Sequence, residues 1–98
     1  MRTPGGEIDL ICEDPSDSTL VFVEVRAVAS PGGPARAVDA VTPTKIRQVV
    51  RAVRSWLPGR AARRLNADER AIRFDVVGYD ARTGELEHVE DAFTGTDG

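Results

Sequence analysis

Residues Leu20–Arg26 (LVFVEVR) constrain the fold more than any other segment. β-branched and aromatic residues dominate it, so it reads as a strand. Its near-continuous apolar character, lacking clear period-2 alternation, is that of a central strand covered on both faces. Glu24 sits inside this run. A carboxylate there is costly to bury unless it is paired or bound to a cation. Two readings therefore stand side by side: a structural ion pair, or a metal site.

The preceding segment Glu7–Cys12 (EIDLIC) reads as a second strand, with Ile8, Leu10 and Cys12 on one face and Glu7, Asp9 and Ile11 on the other. Glu13–Ser18 (EDPSDS) has turn composition. A turn centred near residues 16 and 17 sets Asp9 directly opposite Glu24. Facing carboxylates repel, and one is pushed neutral unless a cation lies between them. Mg²⁺ or Mn²⁺ suits such hard oxygen ligands. Glu7, on the face of Asp9, is a further ligand or an outer group, and Arg26 follows on the face of Glu24.

Ser30–Pro34 (SPGGP) reads as a flexible loop continuing to about Val41. Thr42 and Pro43 then form a helix start, as N-cap and first helical residue. Ile46, Val49, Val50, Val53, Trp56 and Leu57 keep helical spacing up to the Pro58-Gly59 stop. Arg60–Leu65 is a second short helical stretch. Ala71–Tyr79 is a third strand, Asp80–Gly84 a turn, and Glu85–Phe93 a polar edge strand. The order strand, strand, helix, strand, strand implies an antiparallel hairpin and a right-handed parallel crossover. One helix covers one face of such a sheet, so the other face needs a cover.

At 98 residues and 41% apolar content, the chain suits one domain, with residues 4–93 as ordered core and 94–98 as a frayed tail. A single cysteine excludes an internal disulfide and fits a reducing, cytoplasmic compartment. No apolar run is long enough to span a bilayer. The net charge of −3 conceals segregation. Residues 43–73 carry nine basic residues against Asp68 and Glu69, whereas the rest is acidic. Clustering of this kind invites an anionic partner.

The segments GGEIDLI (5–11), LVFVEVR (20–26), AVTPTK (40–45) and RFDVV (73–77) together resemble the YraN-like family of bacterial proteins. That family resembles the restriction-endonuclease-like nucleases, including Holliday junction resolvases. The resemblance runs over roughly residues 4–93. It implies an α/β fold: a restriction-endonuclease-like mixed β-sheet with one main amphipathic helix. The N-terminal helix and first strand usual in the family have no expected counterpart here.

The resemblance further implies a metal-dependent phosphodiesterase site. Asp9 and Glu24 match its acidic ligands, assisted by the Val25 main-chain carbonyl. The metal would activate water and stabilise charge on the phosphate. The lysine that normally follows is replaced by Arg26, which stays protonated and clamps phosphate but cannot serve as a base. Lys45, flanking the apolar arc of the helix, is expected to supply part of the missing positive charge. A solvated lysine is the alternative.

Outside the hairpin, Arg47, Arg51 and Arg54 form an i, i+4, i+7 stripe suited to nucleic-acid backbone contacts, with Gln48 beside it. A merely solvated face is the competing reading. Trp56 is expected in the core, Asp75 paired with Arg26 or Arg73, and Cys12 as a small buried hydrophobe. His88 receives no role. Three functions follow as expectations. One is a Mg²⁺- or Mn²⁺-dependent nuclease acting on DNA, in particular structured or branched DNA. The second is a catalytically impaired nuclease-fold module that binds nucleic acid. The third is a protein-interaction domain, with the uncovered sheet face forming a homodimer or a heteromeric interface.

Overall fold

The computed structural model describes residues 1–27 and 41–95. The expected loop at 30–34 and the end of the tail, 96–98, lie outside the described residues. Two short strands, β1 (Arg2–Thr3) and β2 (Gly6–Glu7), pair antiparallel as a small hairpin. The main sheet contains β3 (Leu10–Glu13), β4 (Leu20–Ala27), β5 (Ile72–Tyr79) and β6 (Leu86–Phe93), in that spatial order. β3–β4 and β5–β6 are antiparallel, and β4–β5 is parallel. Between β4 and β5 come helix α1 (Pro43–Trp56), helix α2 (Arg60–Arg64) and a 3₁₀ turn (Ala67–Glu69). The mixed α/β sheet with one main helix is therefore as expected.

The cap of α1 follows its sequence. Thr42 is extended, and its hydroxyl accepts the Lys45 N–H. This satisfies one of the amide donors left unpaired at a helix start. The buried residues Val49, Val50, Val53 and Trp56 face the sheet. Phe22 on β4 meets Trp56 edge-on at 5.6 Å and Phe74 on β5 at 5.9 Å, and Phe74 stacks on Phe93 at 5.0 Å. These aromatics anchor one apolar cluster between α1 and the sheet.

Three expectations change. The strand expected at Glu7–Cys12 is broken: Glu7 ends β2, and the main sheet begins at Leu10. The chain bends at Ile8, whose N–H and carbonyl both pair with Met1. Alternation does not carry through the bend, so Ile8 and Ile11 both join the core while Leu10 and Cys12 are exposed. Cys12 is thus not the buried hydrophobe expected. The residues before Gly5 do form a strand, β1, although only two residues long.

The hairpin packs tightly on α1. A Cβ on Gly5 would lie 2.7 Å from the Arg51 carbonyl oxygen and 2.8 Å from Ser55 Cβ, so only glycine fits. The Gly5 N–H donates to Ser55 Oγ at 3.1 Å, and Thr3 Oγ1 donates to the Ala52 carbonyl at 3.3 Å.

The sheet face opposite α1 is not bare. Val21 and Val23 are buried there, and Asp75 is wholly buried. Arg73 Nε and Nη2 donate to the two Asp75 oxygens at 2.8 and 3.0 Å, and Nη1 donates to Asp14 at 2.9 Å. Arg73 is thus the expected partner of Asp75. His88 Nε2, which the sequence left without a role, lies 2.8 Å from Asp75 Oδ2.

Asp75 also accepts the Asp91 N–H at 3.0 Å. Asp91 has φ of 52° and sits where the β5–β6 register shifts between Phe74 and Val76. The Asp75 carboxylate therefore fixes an irregularity in the edge strand.

Candidate metal and phosphodiester site

The β3–β4 register runs from Leu10 opposite Val23 to Glu13 opposite Leu20, and Asp9, just before β3, lies within electrostatic reach of the Glu24 carboxyl. The turn that fixes the register is held by Asp14, whose carboxylate accepts the Ser16 N–H and hydroxyl at 3.0 and 2.7 Å. Those bonds, with Arg73, draw the Asp14 carboxyl down to about 2. Asp17 Oδ1 accepts the Thr19 N–H at 3.0 Å. A turn centred on residues 16 and 17, read from composition, thus places the two acids.

Glu24 shares the helix-covered face of β4 with Leu20 and Phe22. It is 3% exposed. Its Oε1 lies 3.5 Å from Lys45 Nζ and 3.7 Å from Arg26 Nη1. Lys45 is there because α1 runs back along the sheet from the end at which β4 finishes, which brings its first turn over Glu24. Asp9 is more open, and its Oδ2 accepts the Val25 N–H at 3.0 Å. Burial, then the Asp9 carboxylate, pushes the Glu24 carboxyl above its ordinary range; Lys45 pulls part of this back.

Four of the sequence-derived site residues therefore converge: Asp9, Glu24, Arg26 and Lys45. Val25 meets Asp9 through its N–H, not through the carbonyl expected to assist a metal. Glu7 stands apart, in β2, with its carboxylate 3.1 Å from Arg2. Arg47, Gln48 and Arg51 line a shallow groove of about 400 Å³ with Thr44 on the outer side of α1. Arg54 donates to the Gly95 carbonyl at 2.8 Å, at the end of β6.

The donor set suits a hard divalent cation. The Asp9 carboxylate, just before β3, lies beside that of Glu24 on β4, and their repulsion is what such an ion relieves. No group of three or more His, Cys, Asp or Glu residues placed to hold a metal occurs among the described residues. An ion here would take its remaining ligands from water, backbone or substrate oxygens, as Mg²⁺ commonly does.

The sequence matches the profile of a family described as "Uncharacterised protein family UPF0102" over residues 1–79. The chain belongs to that family. The UPF0102 match takes in β1 through β5, and with them Asp9, Glu24, Arg26 and Lys45. A UPF0102 protein of Anaeromyxobacter dehalogenans is 44% identical over 98 residues, covering 96% of this chain and 66% of that protein. One from Nitratidesulfovibrio vulgaris is 42% identical over 94 residues, covering 94% of this chain and 64% of that protein. A third, from Corynebacterium efficiens, is 43% identical over 99 residues, with 99% and 71% covered. The chain thus spans about two-thirds of the length of these UPF0102 relatives. No helix among the described residues is long and apolar enough to cross a membrane.

Proposed function

We propose that this chain carries a divalent-metal phosphodiesterase site of restriction-endonuclease-like type, acting on DNA and in particular on structured or branched DNA. The observation that supports it is the closeness of Asp9 to buried Glu24, with Lys45 Nζ delivered to Glu24 from α1. Asp9 and Glu24 are the residues that would hold Mg²⁺ or Mn²⁺. Such an ion, when bound, lowers the pKa of water and offsets charge on a phosphate.

The remaining chemistry belongs to the chain itself. Lys45 and Arg26 keep positive charge at the mouth of a carboxylate that burial would otherwise neutralise. Lys45 takes the charge role of the lysine absent from β4, and the guanidinium of Arg26 offers a planar fork to the same anion. Glu24 is itself 3% exposed, on the strand face it shares with Phe22, so little water reaches its buried side.

A second reading is favoured by one observation: both cations lie within 4 Å of the same Glu24 oxygen. In that reading Lys45 and Arg26 replace the metal, and the chain is a catalytically impaired module that binds nucleic acid. Mn²⁺ titration by calorimetry, on the native chain and on Glu24→Gln, separates the two. The nuclease reading expects saturable Mn²⁺ binding that Glu24→Gln weakens at least tenfold, together with Mn²⁺-dependent nicking of branched duplexes. No Mn²⁺ binding above background in the native chain would sink it.

A further inference from the structure

We infer that α1 and α2 carry a duplex-backbone-binding surface that is separate from the Asp9–Glu24 site. The inference deepens the nucleic-acid reading above, since it takes DNA as the partner.

The first observation is the charge of residues 43–64. They hold Lys45, Arg47, Arg51, Arg54, Arg60, Arg63 and Arg64, and no Asp or Glu. The second is how arginines elsewhere in the described fold are used. Arg2, Arg26, Arg70, Arg73 and Arg82 each lie within 4 Å of a carboxylate. Arg54 is bound to the Gly95 carbonyl. Arg47, Arg51, Arg60, Arg63 and Arg64 are all exposed, and among the described residues none has a carboxylate within ion-pair distance. Arg47 makes only a 3.2 Å hydrogen bond to Thr44. Among the described residues the fold pairs Arg2, Arg26, Arg70, Arg73 and Arg82 with carboxylates and leaves these five open to water.

Their position separates them from the carboxylates. At about 100° per residue, Arg47 and Arg51 lie about 160° and 120° round α1 from Lys45. Lys45 turns toward Glu24, so these two arginines turn away from it. They line the outer groove with Thr44 and Gln48. On α2, Ala62 is buried and Arg60, Arg63 and Arg64 are exposed around it. That helix follows the C-terminal end of α1, whereas Lys45 sits at its start.

Chemistry selects the form of nucleic acid. Binding to single strands relies on aromatic platforms for base stacking. Here Phe22, Trp56, Phe74 and Phe93 are buried, and Tyr79, the one exposed aromatic, ends β5. Neither α1 nor α2 presents an aromatic ring. Guanidiniums without stacking partners grip phosphates, which carry no sequence information. The surface therefore holds the backbone of duplex DNA of any sequence.

The test is fluorescence anisotropy with a mixed-sequence DNA duplex, titrated at several NaCl concentrations in EDTA. Without divalent ions Asp9 and Glu24 play no part, so this result and the Mn²⁺ titration fail independently. The variants are Arg47→Gln/Arg51→Gln and Arg60→Gln/Arg63→Gln/Arg64→Gln, with Arg82→Gln as control. Circular dichroism spectra matching the native chain show that each is folded. Each phosphate contact contributes about 0.9 to the slope of log K against log salt. The α1 pair is expected to lower that slope by about 2, the α2 triple by up to about 3, and the control by nothing.

An unchanged slope in either multiple variant overturns the inference. So does a preference of tenfold or more for single strands, or for one duplex sequence over another. A native chain that binds no duplex overturns it as well.

Discussion

The Lys45 ammonium on the first turn of α1 lies 3.5 Å from Glu24 Oε1 on β4, with the glutamate 3% exposed and the lysine side chain 30% exposed. The pair bridges two elements that share no backbone hydrogen bonding. It ties the placement of the helix to the charge state of the carboxylate, and a protonation measurement therefore reads the site.

Glu24→Gln is expected to be tolerated. The native carboxyl has a raised pKa, so the folded state holds its proton more tightly than the unfolded chain does. The stability tied to that proton is present in full below the ordinary value of 4.5 and is lost as pH rises through the folded-state value. Above that window the ionised native residue is the less favourable one. Thermal unfolding at pH 7.5 should therefore show the variant equal to or above native, and the gap should close as the pH is lowered toward 4. A variant several degrees less stable at pH 7.5 contradicts this.

Lys45→Met keeps the apolar stem and deletes the charge. Lys45 pulls Glu24 down against burial and Asp9, so the Glu24 titration should move upward in the variant. Carboxyl-carbon NMR across pH 3 to 9 checks it. An unmoved or lowered midpoint means that the pair is not formed in solution.

Asp75→Ala should cost about 3 kcal/mol or more, since it removes one partner of a buried ion pair. Arg73 would lose two of its three carboxylate hydrogen bonds and the Asp91 amide its acceptor. Urea unfolding measures the loss. Burial pushes the Asp75 carboxyl up, but Arg73, the Asp91 N–H and His88 together draw it further down, below 3.8. Its contribution is therefore fully present above pH 3.8 and lost as pH falls through the folded value. The cost of the substitution should shrink in that acid window. A loss below about 1 kcal/mol at pH 7 would show that the network is dispensable.

Gly5→Ala should destabilise by about 1–3 kcal/mol, the usual cost of forcing a methyl group into a closed contact. The clash falls on backbone, the Arg51 carbonyl oxygen, which has little room to yield. Denaturant midpoints of native and variant decide it, and matching midpoints would show that the hairpin does not pack on α1 as described.

The sequence made the sheet order legible through particular residues. The turn at Asp14–Asp17 announced the hairpin register, and with it the closeness of Asp9 and Glu24. Thr42-Pro43 announced where α1 begins, and helical periodicity announced which side it buries. From these alone, Lys45 could be placed beside the sheet.

What failed was alternation across Ile8. Period-2 reasoning assumes one continuous strand, and a bend between two sheets resets the faces without any marker beyond Gly5-Gly6. His88 gives no signal in the sequence for a related reason. Its partner Asp75 is thirteen residues away across a strand pair whose register shifts, so spacing along the chain carried no signal. Residue type alone puts Cys12 in the interior, yet it is exposed on an edge strand.

The parallel pairing of β4 with β5 sets an order of events during folding. Hairpin β3–β4 closes a short loop and can form early, bringing Asp9 and Glu24 together with only Arg26 as a local counter-charge. Lys45 arrives only when α1 docks, and the crossover that carries it must close a much longer loop to reach β5. Until then the nascent hairpin holds two opposed carboxylates in water, where repulsion is weak and screened. Burial of Glu24 needs α1, whose first turn brings Lys45 to it, so the site acquires its final charge balance only when that helix docks. An ion bound at Asp9 and Glu24 would favour that closed state over its precursors by mass action.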